Sequence, residues 1–140
     1  MYVLDTDVVS ELRRPERADP RVAAWAVRTP LLLHFITSVT LYELELGIVS
    51  LERKDRPRGA ILRAWMDRQI LPRFEGRILA LDAAVAQRAA ALHVPNRRPE
   101  HDAFIAATAL VHRMTIVTRN VDDYAPTGVE ILNPWERTPD

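Results

Sequence analysis

The chain opens with an apolar run, Met1-Tyr2-Val3-Leu4, that stops on the carboxylate of Asp5 and continues Thr6-Asp7. No other feature limits the possible folds as much. A short buried strand needs apolar cover on both faces. In an open parallel sheet, the C-terminal tip that carries such an acid is also where ligands bind. Further acids stand where other strands end or helices begin: Glu43, Asp102 and the pair Asp122/Asp123. Whether they meet depends on the order of the elements between them.

Val3-Leu4 predicts a strand, and 7–13 a helix broken by Arg14-Pro15-Glu16. Asp19-Pro20 reads as the N-cap and first residue of a helix through Arg28, closed by Pro30. The apolar run 31–37 (LLLHFIT) predicts a second strand. Ser38 or Thr40 then caps a helix carrying Leu41, Leu44, Ile48 and Leu51 at helical spacing. The charged stretch 52–59, interrupted by Pro57, predicts a turn, and 60–70 an amphipathic helix stopped by Pro72. Residues 77–81 predict a third strand, and Asp82 caps a helix to about His93. A polar connector covers 94–100, and a small-residue helix runs from His101 to Met114. Segments 115–118 and 129–132 predict the fourth and fifth strands, and Asn133-Pro134-Trp135 a stop.

Strands alternating with helices imply a layered α/β domain with a central, mostly parallel sheet of about five strands. With 140 residues, 48% of them hydrophobic, a single domain spanning 1–140 with a sizeable core is expected. In such a sheet Asp5 lies at the carboxyl edge, and Glu43 leaves strand two near it. Asn120, Asp122 and Asp123 follow strand four. Asp102 opens a helix running antiparallel to strand four, so it starts at the same edge. Carboxylates crowded there repel one another and rise in pKa, a repulsion that a divalent cation relieves. Hard oxygen donors select Mg2+ or Mn2+. Each acid also has a structural reading: Asp5 and Asp7 as helix caps, Thr40 to Glu43 as a capping box, Asp102 as a helix-start charge, Asp122-Asp123 as a turn.

Composition removes several schemes. Cysteine is absent, which excludes disulfides, thiolate nucleophiles and Cys-bound zinc. That absence, with no signal pattern and no apolar stretch near the roughly 18 residues of a membrane span, suits a cytoplasmic protein. The formal net charge is zero, so no global basic field attracts nucleic acid, and 18 of the 19 cationic residues are Arg. The one lysine, Lys54, disfavours chemistry that needs a catalytic Lys. The four histidines show no paired metal spacing; His34 reads as core, His101 as a helix-start residue, and the three Trp as packing.

Taken in order, four blocks resemble PIN-domain ribonucleases of the VapC/FitB-like kind, the toxins of bacterial toxin–antitoxin pairs. The first is Leu4-Asp5-Thr6-Asp7-Val8-Val9-Ser10-Glu11-Leu12, and the second Thr37-Ser38-Val39-Thr40-Leu41-Tyr42-Glu43-Leu44-Glu45-Leu46-Gly47. The third is Asp102-Ala103-Phe104-Ile105-Ala106-Ala107-Thr108-Ala109. The fourth runs Thr118-Arg119-Asn120-Val121-Asp122-Asp123-Tyr124 and continues to Gly128-Val129 and Asn133-Pro134-Trp135.

The resemblance implies a three-layer α/β/α domain and Mg2+-dependent (or Mn2+-dependent) cleavage of single-stranded RNA. It makes Asp5, Glu43, Asp102 and Asp123 the catalytic acids, with metal held by Asp5, Asp102 and Glu43. The fourth metal position is open between Asn120 and Asp123, because many relatives carry an acid where Asn120 stands here. Thr6, Ser38, Thr118 and Arg119 become candidates for ordering substrate, with Arg97 and Arg98 as further cations near the rim. The resemblance also implies a cognate antitoxin, a homodimer and a toxin–antitoxin hetero-oligomer, with no membrane association. Two rival readings share these residues: a haloacid-dehalogenase-like phosphatase with Asp5 as nucleophile, and a PIN-fold binding protein without activity.

Overall fold

The structure, a computed structural model, describes residues 1–136. The last four residues of the expected 1–140 domain lie outside the described residues. Strand β1 (Tyr2–Leu4) leads into α1 (Thr6–Glu11) and α2 (Pro20–Arg28). β2 (His34–Thr37) is followed by two long helices, α3 (Ser38–Lys54) and α4 (Arg56–Trp65). A π-helical turn (Met66–Ile70) joins α4 to the short α5 (Leu71–Arg73). Then come β3 (Ile78–Leu79), α6 (Ala83–Leu92), α7 (Glu100–His112), β4 (Thr115–Val117), α8 (Val121–Tyr124) and β5 (Ile131–Leu132).

All five strands are parallel in the order β3-β2-β1-β4-β5. The chain winds outward from β1 through β2 to β3, then crosses back to lay β4 and β5 on the other side of β1. β1 is therefore the switch point, the place where an open α/β sheet forms a crevice at its carboxyl edge. Alternate residues feed opposite layers. Leu4 and Val117 join Trp25, Ile48, Trp65 and Phe74 on one face, while Val3 and Ile116 join Ile105, Ala106 and Tyr124 on the other. This is the expected three-layer α/β/α arrangement, with a sheet parallel throughout. All three Trp are buried, and His34 stacks on Trp25 with ring centres 5.2 Å apart.

The structure corrects several expected boundaries. The run 31–37 is not all strand: residues Leu31–Leu33 form a 3-10 turn, held when His34 N–H returns to Leu31 C=O. The cap of α3 is neither Ser38 nor Thr40 but Thr37, whose hydroxyl accepts from Thr40 N–H at 3.0 Å. The turn expected over 52–59 shrinks to one residue. Asp55 ends α3 by donating its N–H to Leu51 C=O and starts α4 by accepting from Arg58 N–H. Pro57 therefore lies in the first turn of α4, where its missing N–H costs nothing. Nor does Pro72 stop the helix at once; the preceding turn widens to i→i+5 bonding and absorbs the ring. The third and fifth strands are each only two residues long, not the wider 77–81 and 129–132.

Candidate active site

Asp5 follows β1 as the N-cap of α1. One carboxylate oxygen accepts from Thr6 N–H at 2.9 Å and the other from the Thr118 hydroxyl at 2.8 Å. It is 6% exposed, and burial, then the Asp7 carboxylate, push its pKa up to about 7. Asp7 is half-buried and also raised, chiefly by burial. Its Oδ2 accepts from Arg119 N–H at 3.0 Å and lies 3.4 Å from the Thr118 hydroxyl. Its Oδ1 is buried with no partner among the described residues. Capping accounts for one face of Asp5 only; the link to Thr118 ties β1 to β4 across 113 residues.

Glu43 is free of the capping box because Thr37, not Thr40, caps α3. Its Oε1 accepts from the Thr6 hydroxyl at 2.7 Å, and its Oε2 lies 3.4 Å from His101 Nδ1. Asp102, in the first turn of α7, accepts from the buried Tyr124 hydroxyl at 3.4 Å. Its pKa is raised by burial, next by Asp123 and also by Glu43, and Asp5 in turn feels Asp102. The Tyr124 phenol is pushed up by burial, then by Asp5 and Asp102. The four acids thus act on one another from four separate stretches of chain.

Of the two candidates for a fourth position, Asp123 is the one whose charge reaches Asp102. Asn120 caps α8 without a side-chain hydrogen bond, and its N–H donates to Thr118 Oγ1 at 3.0 Å.

The remaining candidates divide. Thr6 and Thr118 lie inside the network. Ser38 does not, because its hydroxyl accepts from Leu81 N–H and ties α3 to the segment after β3. The Arg119 guanidinium lies over the Trp135 ring, 5.4 Å from its centre. Arg98 straps the connector, donating to Leu92 and Pro126 carbonyls, while Arg97 is exposed. Sequence reasoning missed Tyr124 as Asp102's partner and His101 as Glu43's. It also took Asp7 as a cap only. The single advance sign was the adjacency of Tyr124 to Asp123 and of His101 to Asp102.

Among the described residues no three acidic or histidine side chains form a ready-made metal cage. The donor chemistry nevertheless fits a hard divalent cation. The converging acids are all oxygen donors, the Asp5 carboxyl is held near neutral pKa by burial and then by like charge, and one Asp7 oxygen is unpartnered. Lys54, the one lysine the phosphatase reading could draw on, is the last residue of the 17-residue α3, about 24 Å along the helix from the rim. Among the described residues no helix is long and apolar enough to cross a membrane.

The PIN domain family model matches residues 2–125. Toxin FitB of Neisseria gonorrhoeae is 34% identical over 96% of this chain and 99% of its own length. VapC ribonuclease Y4jK of Sinorhizobium fredii is 30% identical over 97% of this chain and 99% of its own. A solved structure of FitAB bound to an IR36 DNA fragment superposes with a TM-score of 0.87 at 34% identity, covering 99% of this chain and 98% of that one.

Proposed function

This chain belongs to the PIN domain family, and from that membership we propose that it is an endoribonuclease acting as the toxin of a toxin–antitoxin pair. The observation that carries the proposal is the meeting of Asp5, Glu43 and Asp102 at the sheet's switch point, with Asp123 beside Asp102. The names of its relatives, a toxin and a ribonuclease, support the same reading.

In this reading Asp5, Asp102 and Glu43 hold Mg2+ or Mn2+, with Asp123 rather than Asn120 as the fourth acid. When bound, the ion would supply charge neutralisation for the phosphodiester and lower the pKa of a water. The chain's own residues fix the donors. Thr118 orients Asp5, Tyr124 orients Asp102, and Thr6 and His101 hold the two oxygens of Glu43. Glu43 so held is placed to take a proton from water. A cognate antitoxin and a homodimer complete the reading, the first supported by the FitAB complex among its structural relatives.

The test is cleavage of a labelled single-stranded RNA by purified protein. Cutting is expected with Mg2+ and is lost with chelator and in Asp102→Asn, whose circular dichroism stays native. Near-normal cutting by that variant would sink the assignment. A wild type that neither cuts nor binds Mg2+ by calorimetry would instead favour a binding protein.

A further inference from the structure

A groove of about 300 Å³ leaves the acidic rim between α1 and α3. Thr6, Ser10 and Arg13 line one wall, four and three residues apart, so they share one side of α1 and the turn that continues it. Glu43 and Gly47 line the opposite wall from successive turns of α3. Leu44 and Trp65 give the groove an apolar floor. At Gly47 an added Cβ would meet nothing within 4 Å, so this wall is recessed.

The two ends carry opposite charge. At the rim stands Glu43. At the far end Arg13 is half-buried, and its positive charge is disfavoured by burial and by the nearby guanidiniums of Arg14 and Arg17. Among the described residues none of these three arginines has a carboxylate partner, whereas Arg21 and Arg63 do. The position of Arg13 after α1 suits the helix dipole, and its half-buried place at the end of the groove sets it apart from exposed Arg14 and Arg17. Phosphate approaching the acidic rim is repelled until it meets a cation; Arg13 supplies one from inside this groove, as Arg119 does beside Asp7.

We infer that this groove seats the stretch of single-stranded RNA flanking the cleaved phosphodiester, with Arg13 on a backbone phosphate. The inference rests on the ribonuclease reading and names where its substrate lies. A cation in a groove that tracks away from the site is the electrostatic half of the pattern that binds unpaired nucleic acid, and a groove this small admits one strand rather than a duplex.

The experiment is fluorescence anisotropy of a fluorescein-labelled, mixed-sequence single-stranded RNA titrated with full-length protein in EDTA across a range of salt. Arg13→Ala is expected to weaken binding about tenfold and to flatten the salt slope by about one phosphate contact. Arg13→Lys keeps most of the affinity. Gly47→Leu fills the groove, weakens binding comparably, and leaves thermal stability equal or higher. Exposed Arg58, at the start of α4, serves as control, and Arg58→Ala changes neither quantity. Wild-type affinity and slope in Arg13→Ala or Gly47→Leu overturns the inference, as does a wild type that binds no RNA. If binding depends on Arg13 but Mg2+ brings no cleavage, the ribonuclease reading fails and the groove assignment stands. If the wild type cuts and Arg13→Ala cuts with unchanged KM, the groove assignment alone fails.

Discussion

Asp5→Asn should abolish RNA cleavage and at the same time make the metal-free protein more stable at alkaline pH. Burial and the Asp7 carboxylate move Asp5 from the usual 3.8 up to about 7. Because the folded pKa is raised, the folded chain keeps a proton that the unfolded chain has already released. Stability therefore falls as pH climbs from about 4 to about 7 and is level above that. At about 1.4 kcal/mol per pH unit, the full separation is worth about 4 kcal/mol at pH 8. Asn removes the charge but offers one acceptor where Asp5 uses two, for Thr6 N–H and the Thr118 hydroxyl; that mismatch returns about 1 kcal/mol. The variant should thus gain about 3 kcal/mol at pH 8 and lose about 1 kcal/mol at pH 4. Urea unfolding in EDTA, followed by tryptophan fluorescence at both pH values, measures the difference. A variant no more stable than wild type at pH 8, or equally shifted at both pH values, refutes the reasoning. Mg2+ at a hundred times its Kd should return about 2.7 kcal/mol to the wild type at pH 8 and little to the variant.

Thr6→Val removes the 2.7 Å bond to Glu43 and should lower kcat for RNA about tenfold, with stability changed by about 1 kcal/mol; an unchanged kcat would show that Glu43 is positioned without it. The glycines of the α3–α4 hairpin should respond oppositely to alanine. At Gly59 a Cβ would lie 2.5 Å from Glu52 Cα, a backbone atom, so Gly59→Ala should lower stability by about 1–3 kcal/mol. Gly47→Ala has room and should raise it by about 0.5–1 kcal/mol; thermal melts that fail to split in sign contradict the close crossing of the two helices. Trp25→Ala, at a residue 1% exposed, should cost about 3–5 kcal/mol in chemical denaturation, and a loss under 1 kcal/mol would deny it a place in the core.

Element order, layer count and parallel sheet were legible because their signals are local. Asp19-Pro20 and Asp82 mark helix starts whatever lies far away in sequence, and both cap as expected. Two of the misses share one cause: tertiary contacts overrode a local pattern. LLLHFIT reads as uniformly strand-like, yet its first three residues turn before His34 meets Trp25. The Thr40–Glu43 spacing fits a capping box, yet Thr37 takes the cap and Glu43 turns to Thr6, 37 residues away. Asp5, Glu43 and Asp102 could be placed on one rim from topology. Their supports, Thr118, Tyr124 and His101, could not be ranked, because a hydroxyl or imidazole carries no sign in the sequence of which acid it will meet. Pro72 misled for a different reason, since a widened turn that tolerates proline has no sequence mark.

The strand order has a consequence for when the acids can meet during synthesis. β1 is made well before its neighbour on one side, β4, which comes some 110 residues later, and Thr118 and Asp123 follow it. Until that segment has emerged, Asp5 has no hydroxyl partner and Asp102 has neither Tyr124 nor Asp123 beside it. A truncated or still-tethered chain therefore carries the three principal acids without the elements that bring them together. The acids converge only after β4 and α8 have been made, long after the strand that presents Asp5.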